Sequence, residues 1–203
     1  MSSKLYMQGR KSFLRGGSRP QGLLWSNNPG TLQDGFYVPT GTEGEDFIII
    51  SDHNRSEISI SQQRIETRQR MINGNMRSYW IADKVNISSS WSRLPSRPFN
   101  KDVFFNEFGV PSQADYVSYT VDGAAGGADM LNWYENNKGS FFLFLSYDKY
   151  NIGGNKYYDR LNTYTQRIKV YFSAFDYSVE KRSGIGENGG FDFWNISASM
   201  EEA

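Results

Sequence analysis

Residues 64–94, from Arg64 to Leu94, read RIETRQRMINGNMRSYWIADKVNISSSWSRL. The stretch predicts two long β-strands joined at Asn73-Gly74-Asn75. Central residues of a tight hairpin turn take φ > 0, which glycine and asparagine tolerate at least cost. The flanks are rich in Arg, Thr, Tyr, Trp, Ile and Val. A hairpin this long outruns the core of a single 203-residue domain, so part of it is expected to protrude. An exposed strand pair invites pairing with another chain. The pattern points to a self-assembling structural protein ahead of any enzyme.

In the second arm of the hairpin, Tyr79, Ile81, Asp83, Val85, Ile87, Ser89 and Trp91 are expected to share one face. That face is apolar enough to cover a core in its later half. Arg64, Arg68, Arg70 and Arg77 form a basic row around the tip. They either meet acidic patches of a neighbouring subunit or act as edge charges that prevent aggregation. Met71, Ile72, Met76, Tyr79 and Trp80 put apolar bulk beside the same tip. Protection by charge alone would not need that bulk, so contact is the preferred reading.

On the N-terminal side, residues 1–45 are rich in Gly, Pro, Ser and Asn and read as an extended arm. Phe47 to Ser51 (FIIIS) predicts a buried strand, and Glu57 to Gln62 (EISISQ) alternates as a half-buried strand does. On the C-terminal side, Pro95 to Pro111 is irregular and Asp115 to Val121 (DYVSYTV) predicts a strand. A helix is expected over Gly127 to Asn137, with Gly139 as its C-terminal stop. The strand Phe141 to Tyr147 follows at once, leaving room for a crossover. A second long hairpin closes the chain. Its first arm alternates Arg167, Lys169, Tyr171, Ser173 and Phe175 with Ile168, Val170, Phe172 and Ala174. Its second arm places Trp194, Ile196, Ala198 and Met200 on one face. The fold class is mainly β: an antiparallel β-barrel or sandwich over residues 46–203, with one flanking α-helix and a long protruding hairpin.

The formal net charge is zero, with 22 basic and 22 acidic residues, which argues against a dedicated nucleic-acid binder. The charge is unevenly placed. The first 33 residues hold Lys4, Arg10, Lys11, Arg15 and Arg19 and no acid, leaving 17 basic against 22 acidic residues in the rest, a balance of −5. A basic arm on a mildly acidic body suits docking on a neighbouring copy; a solvated terminus is the plainer reading. There is no cysteine, which excludes disulfides and thiolate chemistry. No signal peptide is read at the N-terminus and no apolar run is long enough to span a membrane. The sequons at Asn54, Asn86 and Asn195 read as chance.

The catalytic candidates are few. His53, the one histidine, sits in the polar turn Asp52-His53-Asn54-Arg55 and reads as a surface residue before a general base. Gly184-Ile-Gly186-Glu-Asn-Gly189 matches a dinucleotide fingerprint, but a strand and not a helix is expected after it, so it reads as a hairpin loop. No spacing pairs the carboxylates, and no metal-ligand loop is recognisable. Aromatics could line a sugar-binding groove, although in a β-rich chain they more often form core and cross-strand contacts. No enzyme activity, cofactor or metal is expected.

Four features together resemble the tail-tube proteins of tailed bacteriophages and the related rings of their tail tip. They are the N-terminal arm, the hairpin around Asn73 to Asn75, the single helix near Ala128 to Asn137, and the closing segment FDFWNISASMEEA. The resemblance is one of layout over most of residues 45–203. It implies a subunit of a hexameric ring whose sheets join those of its neighbours into one inner barrel. Rings would stack through the hairpin and the arm, and DNA would pass through a polar lumen without specific binding. Arg10, Lys11 and Arg15 of the arm, and Arg70, Met71, Asn73, Gly74, Met76, Tyr79 and Trp80 of the hairpin, are the expected contacts between subunits. Partners would be further copies of the chain and other tail proteins, in a virion assembled in the bacterial cytoplasm. The long arm and the segment Pro95 to Pro111 depart from the simplest tube subunit and leave open a distal-tail, baseplate or tube-terminating ring. The alternative from another class is a carbohydrate-binding β-sandwich.

Overall fold

The computed structural model describes residues 22–33, 36–99, 119–146, 164, 166–182 and 190–203. They are mainly β, with nine strands and one helix: β1 (Leu23–Ser26), β2 (Thr31–Gln33), β3 (Phe36–Val38), β4 (Phe47–Ile50), β5 (Ser59–Arg70), β6 (Met76–Pro95), α1 (Gly127–Asn136), β7 (Phe141–Leu145), β8 (Gln166–Arg182) and β9 (Asp192–Glu202). Seven strands form one antiparallel sheet in the order β4-β1-β7-β8-β9-β6-β5, and β2 pairs with β3 separately.

The three short strands β1, β4 and β7 are the most apolar. Their sequences LLWS, FIII and FFLFL are continuous runs, and all but Phe142 are buried. A run without alternation fits a strand covered on both faces. One face carries Leu23, Trp25, Ile48, Ile50 and Leu143 into the main core. The other carries Leu24, Phe47, Ile49 and Phe144 into a second cluster with Ala124 and Tyr164. Each such side chain contributes about 2 kcal/mol by burial.

The sheet is rolled, because the main core also takes Ile87 and Trp91 from β6, Ile196, Ala198 and Met200 from β9, and Val170 from β8. Residues 51–56 fasten the roll. The buried Trp91 Nε1–H donates to the Ser51 carbonyl at 2.8 Å. Ser56 N–H donates to the Ser90 carbonyl at 2.8 Å. No ladder joins β4 to β5, so the barrel stays open. Helix α1 packs Met130 and Trp133 into the core, and Tyr134 stacks on Phe175 at 4.7 Å between ring centroids. Its start is held close to the end of β6. A Cβ on Gly126 would lie 2.6–2.7 Å from backbone atoms of Pro95, Ser96 and Arg97. Asp129 accepts the Gly126 N–H at 2.9 Å, satisfying one of the free donors of the first turn.

Several expectations are corrected. The arm read over residues 1–45 is not an arm in its described part, from residue 22 on. Leu23–Ser26 lies inside the sheet, paired with β4 on one side and β7 on the other. EISISQ is not half-buried: Ser59–Gln62 belongs to β5, an edge strand exposed over most of its length, and Ile58 alone of the segment packs on the core. The described end of DYVSYTV, Tyr119–Val121, is bend and turn; the rest lies outside the described residues. The helix ends at Asn137, whose N–H and side-chain amide both donate to the Trp133 carbonyl. Gly139 does not adopt positive φ and is not its stop. The crossover is absent among the described ladders, all of which are antiparallel.

Candidate assembly interface

The hairpin forms as read and is longer at its base: twelve residues in β5, twenty in β6 and a turn over 71–75. Gly74 takes φ +82°. Met71 N–H donates to the Asn75 carbonyl at 2.8 Å, Gly74 N–H to the Met71 carbonyl at 2.9 Å, and Asn75 N–H to Asn73 Oδ1 at 3.1 Å. β9 pairs with β6 only from Asn86 to Pro95. From Met76 to Val85, β6 has β5 as its one strand partner among the described residues. These residues form a two-stranded ribbon about 33 Å long at ~3.3 Å per residue. Lys84 ties its base to the C-terminus, donating to the Ala203 carbonyl at 2.9 Å.

A β-bulge changes the faces of the ribbon. Ile65 opposes Ala82 and Glu66 opposes Trp80, so Ile81 is an extra residue in β6. The phase beyond it shifts by one. Tyr79 and Ile81 therefore do not continue the face of Ile87 and Trp91, as alternation predicted. Trp80, Ser78 and Met76 continue it, opposite Glu66, Arg68 and Arg70. Tyr79 and Arg77 lie on the other face with Thr67 and Gln69. The expected hairpin contacts are thus divided: Arg70, Met76 and Trp80 on one face, Tyr79 on the other, and Met71, Asn73 and Gly74 in the turn. Arg10, Lys11 and Arg15 lie outside the described residues.

The ribbon is exposed and apolar together. Trp80 is 63% exposed, Met76 60%, Ile81 62% and Ile72 fully so. Its polar cross-links centre on Glu66, whose carboxylate accepts from Ser78 Oγ at 2.5 Å and from Arg68 Nε at 2.7 Å. The Ser78 hydroxyl and then the Arg68 guanidinium hold this carboxyl below its ordinary range. Arg64 pairs with Asp83 at 3.3 Å.

A second open edge escaped the sequence reading. β7 pairs with β8 only over Gln166–Val170. From Tyr171 to Arg182 the side of β8 away from β9 has no strand partner among the described residues. A bulge between Phe172 and Ala174 brings Phe175 onto the same face as Phe172, against the strict alternation expected. Tyr177 and Val179 extend that face beyond the helix and stay half exposed, with Tyr177 stacked on Trp194 at 5.3 Å. The opposite face of β6, β9 and β8 is small and polar in its middle, with Tyr171 at one end opposite Glu201. Ser88 pairs with Ser199, Ser90 with Ser197, and Ser197 with Asp176.

The catalytic candidates do not converge. His53 Nδ1 accepts the Val121 N–H at 3.2 Å. The Ser51 hydroxyl donates straight to Asp122 at 2.7 Å. No serine–histidine relay joins them. Burial lowers the His53 pKa, and Asp122 partly opposes the shift. Asp129 is raised by burial, with the Gly126 N–H working against it. Gly184 to Gly189 lies outside the described residues. Among the described residues no group of His, Asp or Glu is placed to hold a metal ion, and no helix is long and apolar enough to cross a membrane. No protein-family model matches the chain, and no curated protein matches it.

Proposed function

We propose that this chain is a non-enzymatic subunit of the tail-tube type, one that closes into a ring around a conduit for DNA. The observation that carries the reading is a pair of open edges on one sheet. β8, β9, β6 and β5 alternate in direction, so the free edges of β8 and β5 run antiparallel to each other. If a second copy stands beside the first in the same orientation, the β5 edge of one meets the β8 edge of the next as an antiparallel pair. The contact is head-to-tail, and repeated with the right rotation it closes a ring in which the β5 and β8 edges are both paired. A small polar face of serines suits the wall of a channel that DNA crosses without specific binding. The turn of the ribbon and its exposed apolar side chains, left uncovered when the β5 edge pairs in the seam, suit contact with an adjoining ring or with another tail protein. On this reading the protein belongs to the virion of a tailed phage, assembled in the host cytoplasm.

Negative-stain electron microscopy of the purified chain, with light scattering for mass, tests the proposal. Long tubes with a central channel identify a repeating tube subunit. Isolated rings identify a tail-tip, baseplate or terminating ring. A monodisperse monomer overturns self-assembly and turns attention to glycan binding. Deleting Ile72 to Met76 is expected to leave a folded subunit that cannot polymerise. Tubes formed by the deleted chain would remove the hairpin tip from the assembly contact.

A further inference from the structure

The tip of the ribbon also carries a chemical liability. Only Asn73 and Asn188 precede glycine in this sequence. Asn188 lies outside the described residues; Asn73 stands in the exposed turn. We propose that Asn73 is a site of spontaneous intramolecular deamidation.

The nucleophile would be the Gly74 backbone nitrogen. Glycine presents it with the least obstruction, and open space surrounds the position where a Cβ would stand. The electrophile is Asn73 Cγ. Because Asn73 Oδ1 accepts the Asn75 N–H at 3.1 Å, the side chain is curled forward over the Gly74 peptide, in the direction that attack requires. The same N–H would meet the negative charge that builds on Oδ1 as Cγ becomes tetrahedral. The Gly74 N–H donates to the Met71 carbonyl at 2.9 Å, so this bond must open before the nitrogen gives up its proton. Arg70 and Arg77 border the turn, one at the end of β5 and one near the start of β6.

The atoms balance without oxidant or reductant. The Gly74 nitrogen loses its proton and bonds to Cγ. The Cγ–Nδ2 bond breaks, and Nδ2 leaves as ammonia carrying the equivalent of that proton. The cyclic imide left behind adds one water and opens to aspartate or isoaspartate. Either product places a new carboxylate at the exposed tip of the ribbon. Isoaspartate also inserts a backbone carbon into a five-residue turn. This chemistry stands apart from the assembly reading, because loss of the amide is read by mass whether or not rings form.

The test is to hold the full folded chain at mildly alkaline pH and follow it by peptide mapping that separates asparagine, imide, aspartate and isoaspartate. The amide of residue 73 is expected to be lost well ahead of those of Asn54, Asn86 and Asn195, which precede Arg or Ile. An Asn73→Gln chain is expected to keep the mass of that peptide unchanged over the same interval. Retention of the Asn73 amide for as long as the other three overturns the proposal. So does an equal mass gain in the Asn73→Gln peptide, which would place the reaction elsewhere in the turn.

Discussion

His53, Glu66 and Asp129 are three titratable side chains that the fold displaces from their ordinary behaviour. Burial holds His53 below 6.5, so the unfolded chain binds a proton there more readily than the folded one. Stability should therefore fall as pH drops from about 6.5 toward the lower folded value. A His53→Ala chain should lose that slope, measured by thermal unfolding across the range. Glu66 is lowered by Ser78 and Arg68, so its contribution is present above its unfolded value and lost as pH falls through the folded one. On a two-stranded ribbon open to solvent the effect is small and best read in the amide exchange of the ribbon; Glu66→Gln should flatten the response below about pH 4.5. Asp129 is opposite in sign. Burial raises it, so ionising it costs stability as pH rises from its unfolded value through its folded one. Asp129→Asn can still accept the Gly126 N–H. It should unfold at a higher temperature than the parent at neutral pH and at the same temperature in strong acid.

The contact between the start of α1 and the end of β6 rests on backbone against backbone. Gly126→Ala should cost about 1–3 kcal/mol, because the methyl meets three main-chain atoms that have no side-chain freedom to yield. Trp91→Phe removes both part of the buried ring volume and the donor to the Ser51 carbonyl, at a combined cost of about 2–4 kcal/mol. Denaturant unfolding reads both. Elements such as these differ in how far sequence foretells them. FIII, FFLFL, the helix body and the face Ile196-Ala198-Met200 were legible, since burial on one or both faces leaves its period in the residues. LLWS was not: three apolar residues and a serine set among Gly, Pro and Asn resemble a loop, and only long-range pairing with β4 and β7 makes them a strand. The extra residues Ile81 and Ser173 were not legible either. A bulge is decided by the partner strand, and each one inverts the face assignment of everything beyond it. For that reason the candidate hairpin residues were named correctly as exposed bulk around a turn, yet grouped on the wrong faces.

At the scale of the whole molecule, a head-to-tail seam and a two-fold seam make different demands on the same edges. In a two-fold contact β5 would meet β5, or β8 would meet β8. In the proposed ring β5 meets β8, and each copy needs both edges. Lysines on an edge strand are an effective block to strand addition. Ile65 and Val179 are 39% and 50% exposed, so charges there should change folding stability by no more than about 0.5 kcal/mol. One chain would carry Ile65→Lys with Thr67→Lys, closing the β5 edge. Another would carry Tyr171→Lys with Val179→Lys, closing the β8 edge. Each alone should stay monomeric in sedimentation velocity, with unchanged unfolding temperature. Mixed in equal amounts, the first supplies an intact β8 edge and the second an intact β5 edge, so one seam can form and then nothing further can add. The mixture should give discrete dimers containing one of each chain, and neither rings nor tubes. Dimers formed by either chain on its own would sink the head-to-tail seam, because they would require an edge to pair with its own copy.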